Sequence, residues 1–100
     1  MDNEFVIIMS IRYMKPSLMA PAHDWAEKNV PKDVPGAHRH RSFHIAPDRG
    51  MSIFYFDTNE NLNAAFPSMK EFQQNVAAKF DAKADAQKAI TSSQSDFGEC

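Results

Sequence analysis

Three of the four histidines of this chain fall within seven residues, 38–44, which read HRHRSFH. If this run is a β-strand, side chains alternate between its two faces, so His38, His40, Ser42 and His44 share one face. Imidazole titrates closer to neutral pH than any other side chain, and it is also a common metal ligand. The spacing therefore predicts a functional surface: a ligand pocket, a metal site or an interface.

Only neighbouring members of this histidine face are close enough to share a metal ion. His38 and His40 could do so with His23 as a third ligand, whereas His44 lies about 13 Å from His40 in a fully extended strand. The chain has neither a cysteine pair nor a His-Glu-x-x-His pattern, which are typical of zinc sites. Three interpretations stay open: a solvated polar face, which is favoured over a metal; a metal or haem site; and acid–base groups in a cleft.

Other candidate residues stand on predicted strands and on the first helix. Arg12 follows an apolar strand segment, where it could bind a carboxylate or an enolate in a pocket or reach solvent. Tyr13 and Tyr55 could each donate a phenolic proton, with aromatic packing as the alternative. Trp25 lies on the apolar stripe of a helix, as a core residue or as the wall of a pocket.

Length and composition favour a small globular protein. One hundred residues suit one domain, predicted over residues 1–94 with a tail at 95–100. The net charge of -2 argues against nucleic-acid and anionic-membrane partners. The single cysteine, Cys100, excludes a disulfide framework, and no signal peptide is evident, so a cytoplasmic location is expected. Three glycines make no phosphate-binding loop, so no nucleotide or flavin cofactor is expected.

The hydrophobic pattern predicts the order β-α-β-β-α-β, a ferredoxin-like α+β protomer with an antiparallel four-stranded sheet. Thr58 is the predicted N-cap of a helix that Pro67 interrupts, and Ser68 with Glu71 forms a capping box for the segment that follows. The strands are predicted at 5–14, 37–45, 51–56 and 88–94, and the helical segments at 17–29 or 21–29, 59–66 and 69–82.

The first and third predicted strands are apolar on both faces, although helices are expected to cover only one face of the sheet. A monomer would expose a larger apolar patch than soluble monomers usually tolerate. A homodimer that packs sheet against sheet is therefore expected.

Several motifs then follow one another in a recognisable order. Trp25-x3-Asn29-x-Pro31 precedes Pro35-Gly36, and an FYFD run at 54–57 precedes Leu62-x2-Ala65-Phe66-x-Ser68. In these motifs the chain resembles the dimeric α/β-barrel superfamily. That superfamily includes antibiotic-biosynthesis-type monooxygenases, stress-responsive barrels and EthD-type proteins. EthD-type proteins tend to carry histidine where this chain has Asn29.

The resemblance implies a small-molecule enzyme or binder, of the cofactor-independent monooxygenase or EthD type, with a cleft between helices and sheet. Its ligand would be a hydrophobic aromatic or carbonyl compound, and no cofactor is expected. A bound phenol or enol would lose a proton, and Asn29, His40 or Arg12 would stabilise the anion. Substrate-binding residues would be Trp25, His38, His44, Tyr13, Tyr55 and His23. The alternatives are a haem- or metal-binding module and a non-catalytic stress-associated barrel.

Overall fold

The computed structural model describes residues 4–90. They form one four-stranded sheet in the order β2-β3-β1-β4, in which every neighbouring pair is antiparallel. The predicted ferredoxin-like α+β fold is confirmed. In chain order the elements are β1 (Phe5–Tyr13), a 3₁₀ turn (Pro16–Leu18), α1 (Met19–Asn29), β2 (Ala37–Ala46), β3 (Arg49–Phe56), α2 (Asn59–Lys79) and β4 (Ala82–Ile90).

The sheet has one face under the helices and one face without them. Ile7 and Phe56 are fully buried on the helix side, against Leu62 and Met69 of α2. Side chains alternate along a strand, so the residues adjacent to Ile7 and to Phe56 in sequence point to the other side of the sheet. We call that side the open face. On the open face Ile8 pairs with Ile53, and Val6 pairs with Tyr55. All four are only half-buried in the protomer.

The first helix ends where proline chemistry requires it. Val30 is extended (ψ 137°) because the following Pro31 disfavours helical geometry at the residue before it. The Val30 N–H still donates to the Ala26 carbonyl at 2.8 Å and closes the last turn. Met19 and Ala22 are buried on the side that faces Tyr13 and Val76. The predicted end of α1 at Asn29 is confirmed.

The predicted break of the second helix at Pro67 is wrong, because α2 runs unbroken from Asn59 to Lys79. Thr58 does cap it, with Oγ1 accepting a hydrogen bond from the Asn61 N–H at 3.1 Å. Pro67 removes one helical bond, to the carbonyl of the exposed Asn63, which solvent can satisfy. The buried stripe continues past the proline, and its burial offsets that loss; its members are Leu62, Met69, Gln73 and Val76.

The predicted histidine face of β2 is wrong at one position. Ala37 pairs with Phe56, yet Arg39 already pairs with Tyr55, so His38 is the extra residue of a β-bulge. A bulge interrupts the alternation of side chains, and His38 is exposed. His40 and His44 stay on the helix side.

Strand β4 was predicted at 88–94 but spans Ala82–Ile90 and pairs with β1 along its length. Its sequence, AKADAQKAI, has weak intrinsic strand preference, so pairing with β1 decides its conformation. Residues 91–94 and the predicted tail at 95–100 lie outside the described residues. Within residues 4–90 no helix is both long and apolar enough to cross a bilayer.

Gly36 sets the entry to β2 and gives a first prediction. Its φ of +80° is unfavourable for other residues, and an added Cβ would lie 2.7 Å from the Asn61 Cβ. We expect Gly36→Ala to lower the free energy of unfolding by about 2–4 kcal/mol. Gly50→Ala is the control, because its Cβ would meet the Phe43 carbonyl at 3.5 Å. Urea unfolding measures both; equal losses would contradict the strain argument.

Candidate functional site

A small cleft lies between the two helices and the helix side of the sheet. Its volume is about 60 Å³, enough for a few waters and well below the roughly 300–1,000 Å³ of sites for ring-bearing ligands. A larger ligand therefore requires α1 to move away from β2, or it must lie partly outside the cleft. Apolar walls come from β1, β3, α1 and α2, and the polar lining consists of Tyr13, His23, His40, Ser42, His44, Ser52 and Gln73.

His40 is held in this lining by two different contacts. Its ring stacks on Phe54, with centroids 4.3 Å apart and planes 16° from parallel. Its Nε2 lies 3.0 Å from the Ser42 hydroxyl, and that hydroxyl lies 3.0 Å from the Ser52 hydroxyl. The stack fixes the plane of the ring and the hydrogen bond fixes its rotation, so His40 presents a defined edge.

The surroundings of His40 keep its imidazole neutral at neutral pH. His40 is exposed as a whole residue, and the partial burial of its ring lowers the pKa of His40 below its usual value, because the charged ring loses solvation. The carboxylate of Glu27 opposes this effect, whereas His23 and Lys32 add to it. A neutral imidazole has a free lone pair, so His40 can accept a proton.

A pair of histidines, His23 and His44, connects α1 to β2 beside His40. The rings of His23 and His44 meet edge to face, with centroids 5.4 Å apart. His23 Nε2 lies 3.1 Å from the Glu27 carboxylate, one turn further along α1. Three of the four histidines thus line one cleft, although they come from two elements separated in sequence. The i, i+4 spacing of His23 and Glu27 was visible in the sequence, but the sequence analysis did not use it.

Tyr13 adds a hydrogen-bond donor to the lining of the cleft. Its side chain is buried, and burial raises the pKa of the Tyr13 phenol because the phenolate would lose solvation. At neutral pH it therefore keeps its proton and can donate a hydrogen bond. The cleft contains a proton acceptor on β2 and a proton donor on β1.

Gln73 is a lining residue that the sequence analysis missed. It is buried on α2, and its Nε2 donates to the Ser10 carbonyl at 3.1 Å. This bond fixes the Gln73 amide against β1. The signal was present, because Gln73 is a polar residue inside the apolar stripe of Met69 and Val76.

Three of the predicted site residues lie near the cleft without lining it. Trp25 stacks on Phe72 at 5.8 Å, between the two helices, which is the core position weighed as an alternative. The Asn29 side-chain amide donates to the Trp25 carbonyl at 2.7 Å and is exposed at the end of α1. His38 stands in the bulge of β2. The cleft of one protomer therefore brings none of these three side chains to His40.

Two further predicted residues are on the opposite side of the sheet. Arg12 points from the open face to the Asp48 carboxylate at 3.6 Å, and its side chain is 69% exposed. Tyr55 is covered by the Arg39 guanidinium, 4.1 Å above the ring. Neither contributes to the cleft of its own protomer. Of the predicted residues, the structure brings together Tyr13, His23, His40 and His44.

The lining does not combine its histidines into a metal site. Among residues 4–90, no group of three or more His, Cys, Asp or Glu side chains is arranged to hold a metal ion. His40 and His23 are each committed to a different partner, the Ser42 hydroxyl and the Glu27 carboxylate. The arrangement suits proton transfer better than metal coordination.

Solved structures with the same architecture are numerous. A dimeric ferredoxin-like protein from an uncultured marine organism superposes with a TM-score of 0.70 at 13% identity, over 94% of this chain and 100% of its own. The chain has the ferredoxin-like fold. SnoaB, a cofactor-independent oxygenase from Streptomyces nogalater, matches with a TM-score of 0.57 at 12% identity, over 98% and 100% of the two chains.

A third similar structure carries a ligand. A monooxygenase from the gene ActVA-Orf6 of Streptomyces coelicolor, in complex with nanaomycin D, matches with a TM-score of 0.62 at 12% identity, over 92% of each chain. No family profile and no curated protein sequence matches this chain. At these identities the likeness establishes the ferredoxin-like fold alone, and the resemblance to the dimeric α/β-barrel superfamily stays a prediction. The narrower resemblance to EthD-type proteins stays a prediction as well.

Proposed function

We propose that this protein binds a hydrophobic phenolic or carbonyl compound in the cleft and oxidises it with molecular oxygen, without a cofactor. The observation that carries the proposal is the position of His40, a neutral imidazole stacked on Phe54 in a largely apolar cleft. Cofactor-free oxidation needs a base for the substrate and an environment that admits O₂ and stabilises an anion. The similar folds of a cofactor-independent oxygenase and of a monooxygenase support the same reaction class.

His40 is the group of the cleft that acts on the reacting atoms in this proposal. His40 removes a proton from the bound phenol or enol, since its lowered pKa leaves it unprotonated at neutral pH. The imidazolium that forms on His40 stabilises the resulting oxyanion. Tyr13 lies six residues along β1 from Ile7, the residue level with His40 across β3, or roughly 20 Å in an extended strand, so its phenol can contact only a distant part of a substrate. Asn29 and Arg12 are not needed for these steps.

The overall conversion balances without another reactant. For an anthrone-type compound, the enol and the CH₂ ketone lose a proton to His40 to give the same enolate, and the carbon of this enolate transfers electrons to O₂. The C–O bond that forms retains one oxygen atom as a carbonyl, and the other oxygen leaves as water: R–CH₂–R′ + O₂ → R–CO–R′ + H₂O. The proton on His40 and the second proton of the CH₂ group end in that water. Substrate carbon is oxidised and O₂ is reduced.

We further propose that two copies associate through their open faces. The half-buried residues Val6, Ile8, Ile53 and Tyr55 form a contiguous apolar surface across β1 and β3. Covering it removes apolar surface from water, and a two-fold dimer covers both copies at once. The similar dimeric ferredoxin-like structure supports a homodimer. The clefts lie on the outer sides of such a dimer, one in each protomer.

Oxygen uptake with an anthrone or a hydroquinone tests the proposed activity. We expect saturable uptake of one O₂ per carbonyl formed from the anthrone, with no added metal or flavin. Native mass spectrometry of the same sample reports whether the compound binds. Binding without turnover would reduce the protein to a binder. Neither binding nor turnover for a series of one- to three-ring phenols would contradict the proposal, and a Soret band in purified protein would favour the haem alternative.

A further inference from the structure

A run of hydrogen bonds from His40 to Ser52 occupies one ring nitrogen of His40 and leaves the other available to a ligand. His40 Nε2, Ser42 Oγ and Ser52 Oγ follow one another at 3.0 Å and 3.0 Å. Ser42 and Ser52 are directly opposed on β2 and β3 and both line the cleft. Within residues 4–90, Nδ1 of His40 has no hydrogen-bond partner, so it is the ring nitrogen left for a ligand.

A hydroxyl has one proton, so this hydrogen-bonded run has two head-to-tail arrangements, and in a third arrangement Ser42 accepts from both Nε2–H and Ser52. In one, Ser52 donates to Ser42 and Ser42 donates to Nε2, which places the ring proton on Nδ1 and makes Nδ1 a donor. In the other, Nε2–H donates to Ser42 and Ser42 donates to Ser52, which leaves Nδ1 with its lone pair. Only the arrangements with a proton on Nε2 allow Nδ1 to accept a proton.

We propose that Ser42, supported by Ser52, is a positioning residue that holds His40 in the Nε2–H tautomer and makes Nδ1 the base. The distances fit both tautomers, and the choice of Nε2–H rests on the proposed function, which needs Nδ1 as the base. In this arrangement a substrate hydroxyl that donates to Nδ1 extends a head-to-tail chain, in which each hydrogen bond polarises the next. When Nδ1 gains the proton, His40 donates through both nitrogens and neither serine hydroxyl has to turn. The base is therefore preorganised for the charged state.

Replacing Ser42 tests this directly. A hydrogen bond to the charged imidazolium is stronger than one to the neutral ring, so its removal disfavours the charged form. In Ser42→Ala we expect a lower His40 pKa and a mixture of tautomers. Ser42→Thr, which keeps the hydroxyl, should restore the wild-type tautomer and pKa. Ser52→Ala should change both less, because Ser42 still contacts the ring. Ser10→Ala, on β1 and outside the cleft lining, is the control.

Long-range ¹H–¹⁵N NMR correlation of the ring nitrogens across pH measures tautomer and titration without any substrate. The expected result is Nε2–H in the wild type and its loss in Ser42→Ala, with Ser10→Ala unchanged. An Nδ1–H tautomer in the wild type, or an unaltered His40 titration in folded Ser42→Ala, would overturn the inference. The NMR measurement needs no substrate, so it tests the tautomer even if the protein is not an oxygenase. If it is one, the acid limb of its pH profile should move to lower pH in Ser42→Ala and return in Ser42→Thr.

Discussion

Replacing His40 by glutamine is expected to lower kcat/KM for the oxygen-consuming reaction by about 10²–10⁴-fold, the range that general bases contribute. Glutamine can still hydrogen-bond to Ser42 and pack on Phe54, but it cannot take up a proton. The loss should appear mainly in kcat, because the apolar walls that bind the substrate are unchanged. Initial rates of oxygen uptake over a range of substrate concentrations measure it.

His38→Gln is the matched control, because it makes the same replacement two residues away on the same strand. His38 is exposed in the bulge and does not line the cleft. Its replacement should leave the rate within about two-fold of the wild type, as expected for a surface position outside the site. Equal activity of the two variants would exclude His40 as the base.

The pH profile of the wild-type enzyme has a predictable direction. The base must be unprotonated, so the rate rises with pH and reaches half its maximum at the His40 pKa. Burial places that pKa below the ordinary value of about 6.5. The acid limb should therefore lie below pH 6.5, and it should disappear in the residual activity of His40→Gln.

Replacing Ile53 by aspartate is expected to convert the proposed dimer into monomers. Ile53 lies on the open face, paired with Ile8 on one side and Arg41 on the other. Two-fold symmetry places two new carboxylates in the interface, each at a desolvation cost of about 2–4 kcal/mol. The dissociation constant should rise by about 10³-fold or more. Sedimentation equilibrium at several concentrations, with circular dichroism to check folding, measures the change.

Met14→Asp is the control for this experiment. Met14 is an apolar residue with 57% exposure, and it follows β1 instead of standing on the open face. It introduces the same charge without entering the proposed interface, so its association should match the wild type. A wild-type protein that is monomeric at all concentrations would contradict the dimer proposal itself, whatever the variants do.

The element order was predictable because, in most of this chain, the apolar pattern agrees with the residues that begin and end helices. Pro31 ends α1 and Thr58 begins α2, as local chemistry dictates. The near-continuous apolar runs at 5–9 and 51–56 predicted the two central strands, because strands covered on both faces have this pattern. Local signals failed where tertiary pairing decides, as in β4, whose alanines and charged residues become a strand through β1. The break predicted at Pro67 was wrong because the cost of a proline inside a helix depends on whether the carbonyl that loses its hydrogen bond, here that of Asn63, reaches water.

The candidate site was only partly accessible from the sequence. His40 and His44 were identified from strand alternation, but the bulge at His38 depends on register with β3. The meeting of His23 with His44 depends on where α1 crosses β2. Trp25 and Asn29 were selected through a resemblance, and a motif carries no information about which way its side chains point in another chain.

The bulges of β2 have a consequence for the fate of the protein at high concentration. β2 is an edge strand of ten residues, with register shifts at His38 and at Ile45 on either side of the histidine segment. An uninterrupted edge of this length is a template for pairing with strands of other molecules, and a bulge breaks such a template. Deleting His38 would straighten one end of the strand. The shortened chain should then form fibrils that bind thioflavin at concentrations where the parent stays clear.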